Sequence, residues 1–109
     1  MNDPDFPTLD DANFEVQVLA RTGVSVVDFW STSCIPCRQM TRLLHEIAPE
    51  LPPPVIIGKV NADENPGLIE RYGVRGLPTL LIFKDGVLVE TRAGIDRKQV
   101  LKKAIESHA

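Results

Sequence analysis

The strongest constraint on the fold is a strand, a helix and a second strand that follow one another within about 37 residues. The run 24–30 is β-branched and aromatic with almost no polar alternation, which is typical of a strand buried on both faces. Apolar residues recur at helical spacing from Pro36 to Leu51, and three successive prolines end that helix. Residues 55–60 have the composition of a second buried strand. The order predicts a βαβ unit with parallel strands and a right-handed crossover.

The second half of the chain predicts shorter elements. Asn65-Pro66 marks the start of a helix that Gly73 ends. The pair Asp85-Gly86 lies between two apolar runs, as in a β-hairpin, and a last helix follows. With a small first helix, for which Thr8 and Asp11 match a capping spacing, we expect an α/β fold with a mixed central sheet and helices on both faces.

The length and charge of the chain narrow its organisation and its partners. At 109 residues we expect one domain over 8–109, preceded by a short flexible lead-in over 1–7. A net charge of −3 without a Lys/Arg cluster argues against a nucleic-acid surface, and no apolar run reaches the roughly 20 residues that span a bilayer. The acidic start does not resemble a signal peptide, so we expect a cytoplasmic protein. Nothing suggests a self-association surface, so we expect a monomer.

The two cysteines lie three positions apart at the predicted junction of the strand and the helix. Residues three apart on a helix are about 5 Å from each other, within the window of about 4.4–6.8 Å between Cα atoms that a disulfide needs. The cysteines lie at the N-terminus of the predicted helix, where unpaired N–H groups and the helix dipole stabilise a thiolate. Pro36 fits the first turn. We therefore expect Cys34 to attack and Cys37, one turn further in, to resolve.

Two plainer interpretations of the cysteines are weaker. Structural zinc needs about four ligands, whereas only His45 and His108 accompany the two thiols. Inert buried thiols would leave unexplained the proline between them. A C-x-x-C beside a βαβ pattern favours a redox pair, with no metal and no organic cofactor.

Asp28 interrupts the first apolar strand. If the side chain is buried, its pKa is raised, and the carboxyl could exchange a proton with Cys37. Alternatively, Asp28 lies at a solvated end of the sheet. Trp30, two residues later, is either simple core or part of the site.

Several motifs occur in an order that resembles the thioredoxin family, from about Phe6 to His108. They are V-D-F-W at 27–30, C-x-P-C at 34–37, K-V-N-x-D at 59–63, Y-G-V-R-G-L-P-T-L at 72–80 and F-K-x-G at 83–86. The resemblance implies a mixed sheet of four to five strands between helices. It also implies exchange of disulfides with protein substrates, with the cysteine pair as the redox group.

The resemblance assigns roles to matching positions. Cys34 becomes the nucleophile, Cys37 the resolving thiol, Asp28 the proton carrier with Lys59 beside it, and Pro78 a cis-proline next to the disulfide. A surface for an extended substrate segment is implied, formed by Trp30, Ile35, Pro36, Gly76, Leu77 and Gly94. As plainer interpretations, Asp28 and Lys59 form a purely structural pair, Pro78 is a loop proline, and the two glycines are turn glycines.

The chain departs from the family at two positions beside the cysteines. Thioredoxins typically carry W-C-G-P-C, where this chain has Ser33 and Ile35 as the differing residues. Neither change removes an atom that the exchange needs, but both alter the surface that partners touch.

The main functional hypothesis is a thiol–disulfide oxidoreductase that reduces disulfide-containing proteins and is itself reduced by a thioredoxin reductase. The alternatives are a redox-independent protein-interaction module, or a dedicated, possibly oxidising, redox partner of one client.

Overall fold

The computed structural model describes residues 6–109 of the chain. In this part of the chain five strands form one sheet with the order β1-β3-β2-β4-β5. β2 is parallel to β3 and antiparallel to β4, and β4 is antiparallel to β5. The mixed sheet that the sequence predicted is therefore confirmed. The strands are β1 (Thr8–Leu9), β2 (Val24–Trp30), β3 (Ile56–Asn61), β4 (Thr79–Lys84) and β5 (Val87–Ala93).

Helices cover both faces of this sheet. A short helix of wide pitch (Glu15–Leu19) precedes β2, and the Ala20 N–H donates five residues back to the Glu15 carbonyl at 2.8 Å. The long helix α1 (Ile35–Ile47) connects β2 to β3, as the βαβ pattern predicts. Two shorter helices follow, α2 (Pro66–Tyr72) before β4 and α3 (Lys98–Glu106) after β5. Within residues 6–109, no helix is long and apolar enough to cross a bilayer.

Alternate residues of the strands build two separate apolar clusters, one on each face. The first cluster lies under α1 and α3, and the second lies under the short N-terminal helix and α2. Because β2 contributes Val26 to the first and Val27 to the second, the sheet is buried on both faces. The first cluster also includes Met40, Leu44, Ile47, Ile57, Leu80, Ile82, Leu101 and Ile105; the second also includes Leu9, Phe14, Val18, Phe29, Val60, Leu68, Leu81 and Phe83.

The N-terminal segment departs from the sequence prediction at Thr8. This residue lies in β1, which pairs in parallel with β3, so Thr8 and Asp11 do not cap the first helix. Asp10 and Asn13 instead form a reciprocal pair of hydrogen bonds in the turn before this helix, since each backbone N–H donates to the side-chain oxygen of the other at 2.9 Å. The prediction of a flexible lead-in over 1–7 falls largely on residues 1–5, outside the described residues; Phe6 is buried and stacks on His45.

The hairpin between β4 and β5 has the predicted Asp85-Gly86 turn, with positive φ at both residues (51° and 78°). Further along the hairpin the register shifts: Ile82 pairs with Glu90 and Phe83 pairs with Leu88, so Val89 is an extra residue in β5. This β-bulge lies in the edge strand of the sheet.

Candidate active site

The two cysteines occupy the junction of β2 and α1, where the sequence places them. Cys34 is the N-cap of α1 with extended backbone (φ −97°, ψ 105°), and its Sγ accepts a hydrogen bond from the Cys37 N–H at 3.1 Å. A disulfide joins the two residues, whose Cα atoms lie 5.3 Å apart. The predicted geometry of the pair is confirmed, and Pro36 lies in the first turn of α1.

The two sulfur-bearing residues differ in their access to solvent. Cys34 is half-buried, whereas Cys37 faces the core and is 2% exposed. The side chain between them, Ile35, is 69% exposed, and Pro36 is also exposed. A partner disulfide can therefore approach Cys34 from solvent but not Cys37.

Pro78 directly precedes β4, at the end of the sheet where β2 leads into the cysteine loop. The Leu77–Pro78 peptide bond is cis, as the resemblance implied. The next residue, Thr79, pairs with Phe29 of β2 and with Ala93 of β5, which places Pro78 beside the end of β2 at Trp30. The Gly94 N–H donates to the Pro78 carbonyl at 2.8 Å.

The two glycines assigned to the substrate surface flank this proline. Gly76 is exposed and accepts a hydrogen bond from the Thr79 hydroxyl at 2.6 Å, while Gly94 is half-buried with a φ of 84°. A Cβ at either position would meet nothing within 4 Å. Ile95, which follows Gly94, is 40% exposed.

Asp28 lies on the face of β2 that carries Val26, under α1. Its side chain is fully buried, and neither carboxylate oxygen has a hydrogen-bond partner among the described residues. Burial raises the pKa of Asp28 to about 7, and the positive charge of Lys59 partly opposes this rise. The predicted burial is confirmed, and a solvated position at the end of the sheet is excluded.

Lys59 pairs with Asp28 in the parallel register of β2 and β3. Its ammonium, however, donates a hydrogen bond to the Thr41 hydroxyl of α1 at 2.9 Å and lies 5.1 Å from the centroid of the Trp30 ring. Sequence reasoning did not find Thr41, because a threonine in a helix carries no signal of its partner.

Within residues 6–109, no three His, Cys, Asp or Glu side chains cluster as a metal site. The junction of β2 and α1 offers two sulfur donors, Cys34 and Cys37, and in this structure they are joined in a disulfide. The chemistry that the pair can perform is exchange between dithiol and disulfide.

A disulfide at the N-terminus of a helix, with a cis-proline at the same end of a mixed α/β sheet, is typical of proteins of the dithiol–disulfide exchange class. A family model described as "Thioredoxin" matches residues 5–107. A thioredoxin from Rhodospirillum rubrum is 46% identical over 97 residues, covering 89% of this chain and 93% of the relative. "Thioredoxin 1" of Synechococcus elongatus (42% identical, covering 90% and 92%) and "Thioredoxin 2" of Chlorobaculum tepidum (37% identical, covering 90% of each) are also similar.

The chain belongs to the thioredoxin family. It is a thiol–disulfide oxidoreductase whose redox pair is Cys34 and Cys37. Members of the family generally act on disulfide-containing proteins and are reduced by thioredoxin reductase. The family match does not favour a redox-independent interaction module.

Proposed function

We propose that the chain works as a reductant of protein disulfides, with Cys34 as its nucleophile. The thiolate of Cys34 attacks one sulfur of the target disulfide, forms a mixed disulfide, and expels the first target thiolate. The thiolate of Cys37 then attacks the Cys34 sulfur, re-forms the Cys34–Cys37 disulfide, and releases the second target thiolate. The observation that carries this assignment is the contrast between the half-buried Cys34 and the buried Cys37.

The resolving thiol has to lose a proton before it can attack, and we assign Asp28 as the acceptor. Cys37 lies on the inner side of α1, one turn before Met40, which packs on the same face of the sheet as Asp28. A pKa of about 7 suits a group that exchanges protons near neutral pH. The transfer runs through a water molecule or directly as the mixed disulfide resolves.

The exposed residues around Cys34 form the proposed docking surface for a target segment. Ile35 and Pro36 border the sulfur on α1, and Leu77 presents backbone groups before the cis-proline. Gly76 and Gly94 keep the adjoining surface low, because neither carries a Cβ. Trp30, stacked with the Lys59 ammonium, forms the wall of the site at the end of β2.

The proposed partners are protein disulfides on one side and a thioredoxin reductase on the other, and the proposed working form is a monomer. Protein-disulfide reduction needs a compartment that supplies reducing equivalents, so we propose the cytoplasm. Ser33, where family members typically have tryptophan, changes the surface that the reductase has to recognise.

The two cysteines can be tested separately in an insulin-reduction assay with dithiothreitol as the electron source. We expect Cys34→Ser to abolish turnover. Cys37→Ser should lose most of its turnover. When it is reduced beforehand and mixed with insulin without dithiothreitol, it should accumulate a mixed disulfide with the target, visible on a non-reducing gel. Turnover by both variants at the wild-type rate would contradict the mechanism, and a trapped adduct in Cys34→Ser alone would reverse the assigned roles.

The direction of electron flow is tested by the reduction potential of the Cys34–Cys37 pair. Reducing members of this class lie near about −270 mV and strong oxidants near about −120 mV. We expect a value close to the reducing end, measured by equilibration with glutathione or dithiothreitol buffers of known ratio. A value near the oxidising end would instead support a dedicated oxidising partner of one client.

A further inference from the structure

The ammonium of Lys59 makes its hydrogen bond to a helix instead of to the acid on the neighbouring strand. The Nζ atom donates to Thr41 Oγ1 at 2.9 Å and lies against the Trp30 ring. Both contacts draw the cation toward α1 and the end of β2. Lys59 is 9% exposed, so this placement is a feature of the interior.

The acid that could have taken this hydrogen bond is adjacent. Asp28 and Lys59 are register partners on parallel strands, so their side chains project from the same face of the sheet. The Asp28 carboxylate nevertheless has no hydrogen-bond partner among the described residues. A flexible lysine beside an unpaired buried carboxylate is normally drawn to it, since pairing offsets the cost of burial.

We propose that Thr41 is a positioning residue that holds the Lys59 ammonium on α1 and so keeps it from pairing with the Asp28 carboxyl. Thr41 lies four residues after Cys37 on the same side of α1, so the hydroxyl, the cation and the buried acid share the space between α1 and the sheet. The inference rests on the proposed function in one respect: it gives Asp28 the task of exchanging a proton with Cys37.

The other groups that face Asp28 do not supply a competing cation. On β4 its register partner is the apolar Leu80. Beyond Leu80, β5 carries Arg92, which is already paired with Glu90 at 2.7 Å and with Asp96 at 3.1 Å. α1 contributes Cys37 and Thr41. The charge whose position matters for Asp28 is therefore that of Lys59, in agreement with its opposing effect on the pKa of Asp28.

The consequence is that the carboxyl stays protonated to a higher pH than a directly paired carboxylate. An opposite charge in direct contact lowers the pKa of an aspartate by about one to three units. With the ammonium held on Thr41, Asp28 keeps its proton-exchange range near neutral pH. The hydroxyl of Thr41 thereby sets the pH range of the resolving step without touching either sulfur.

The experiment compares Thr41→Val, which removes the hydroxyl at nearly constant volume, with Thr41→Ser, which keeps it. The protonation midpoint of Asp28 is followed by the carboxyl-carbon NMR signal of the oxidised protein. We expect the midpoint to fall by about one pH unit or more in Thr41→Val. It should stay at the wild-type value in Thr41→Ser. An unchanged or raised midpoint in Thr41→Val overturns the proposal, and Thr41→Ala provides the same test if the valine variant does not fold.

A second comparison separates the effect of the cation from a change in packing. In the Lys59→Met background, replacing Thr41 with valine should leave the Asp28 midpoint where Lys59→Met alone places it. An equal fall in both backgrounds overturns the proposal, because the effect would then not pass through Lys59.

The proposed function fails on a different readout. The pH profile of mixed-disulfide resolution should move with the Asp28 midpoint if Asp28 is the proton acceptor. A midpoint that moves in Thr41→Val while the pH profile of resolution stays fixed rejects the role of Asp28 and leaves the positioning by Thr41 supported.

Discussion

A fully buried carboxyl group makes the stability of a protein depend on pH in a direction opposite to that of a salt-bridged one. The pKa of Asp28 is about 7 in the folded protein, whereas an unfolded chain holds an aspartate near about 3.9. Between these values the folded state binds a proton that the unfolded state has released. The free energy of unfolding therefore declines as the pH rises from about 4 to about 7, and the loss is complete above that window.

Asp28→Asn removes this titration and should stabilise the protein at alkaline pH. We expect the variant to gain on the wild type by roughly 2–4 kcal/mol more at pH 8 than at pH 4.5, since each pKa unit corresponds to about 1.4 kcal/mol. Urea unfolding of the oxidised proteins at the two pH values measures this difference.

Asp63→Asn removes an exposed carboxyl group and leaves Asp28 in place, so it is the matched control and should retain the fall in stability that Asp28 causes. A gain for Asp28→Asn that is equal at both pH values would argue against the titration of a buried carboxyl.

Individual residues of the site were predictable to different degrees. The apolar residues on both sides of Asp28 indicated burial but left open a solvated position at the end of the sheet, and the packing of α1 on β2 decides for burial. The hydrogen-bond partner of Lys59 could not be predicted from the sequence. A long flexible side chain can reach either Asp28 or Thr41, and the choice depends on how α1 packs on the sheet.

Among the turns that connect the helices and strands, the hairpin turn between β4 and β5 requires a glycine at position 86. Gly86 has a φ of 78°, and a Cβ there would overlap the Leu19 carbonyl oxygen at the end of the short N-terminal helix. Gly73 also has positive φ, 62°, but a Cβ there would meet nothing within 4 Å. The hairpin turn is therefore held by both conformation and close packing.

This pair of glycines allows a matched comparison. Gly73→Ala should lower the free energy of unfolding by about 1 kcal/mol, the cost of the left-handed conformation. Gly86→Ala should cost clearly more, about 2–3 kcal/mol, because the Leu19 carbonyl also has to move. Urea unfolding of the two variants measures both values, and equal losses would show that the contact with Leu19 relaxes freely.

The elements whose signal is local were predicted correctly, and the errors lie where distant segments meet. The Asp85-Gly86 turn and the Pro66 and Gly73 limits of α2 are encoded within a few residues. Thr8 was wrongly assigned to a helix cap, because β1 has two residues and forms only through pairing with β3. The cis bond between Pro53 and Pro54 was also missed, since adjacent prolines do not reveal the isomer that tertiary contacts select.

At the scale of the whole molecule, the two apolar clusters are coupled by the sheet that separates them. β2 and β4 contribute residues to both clusters, so neither face can lose its packing while the other keeps its strands. We therefore propose that residues 8–109 unfold as a single domain.

Leu44→Ala removes a buried side chain from the first cluster, and Leu68→Ala removes one from the second. Each should cost about 2–5 kcal/mol and shift one common transition, seen equally by far-UV circular dichroism and by Trp30 fluorescence. Two separate transitions, or a variant that displaces only one of the two signals, would show that the faces unfold independently.

The extra residue Val89 in β5 affects how readily the protein aggregates. β5 is an outer strand of the sheet and exposes Val87, Leu88 and Val89, a composition that invites another chain to extend the sheet indefinitely. A β-bulge of this kind bends the edge strand and interrupts its regular row of backbone hydrogen-bond donors and acceptors. We infer that this β-bulge opposes fibril growth, so that β5 can expose apolar side chains without becoming a template to which other chains add.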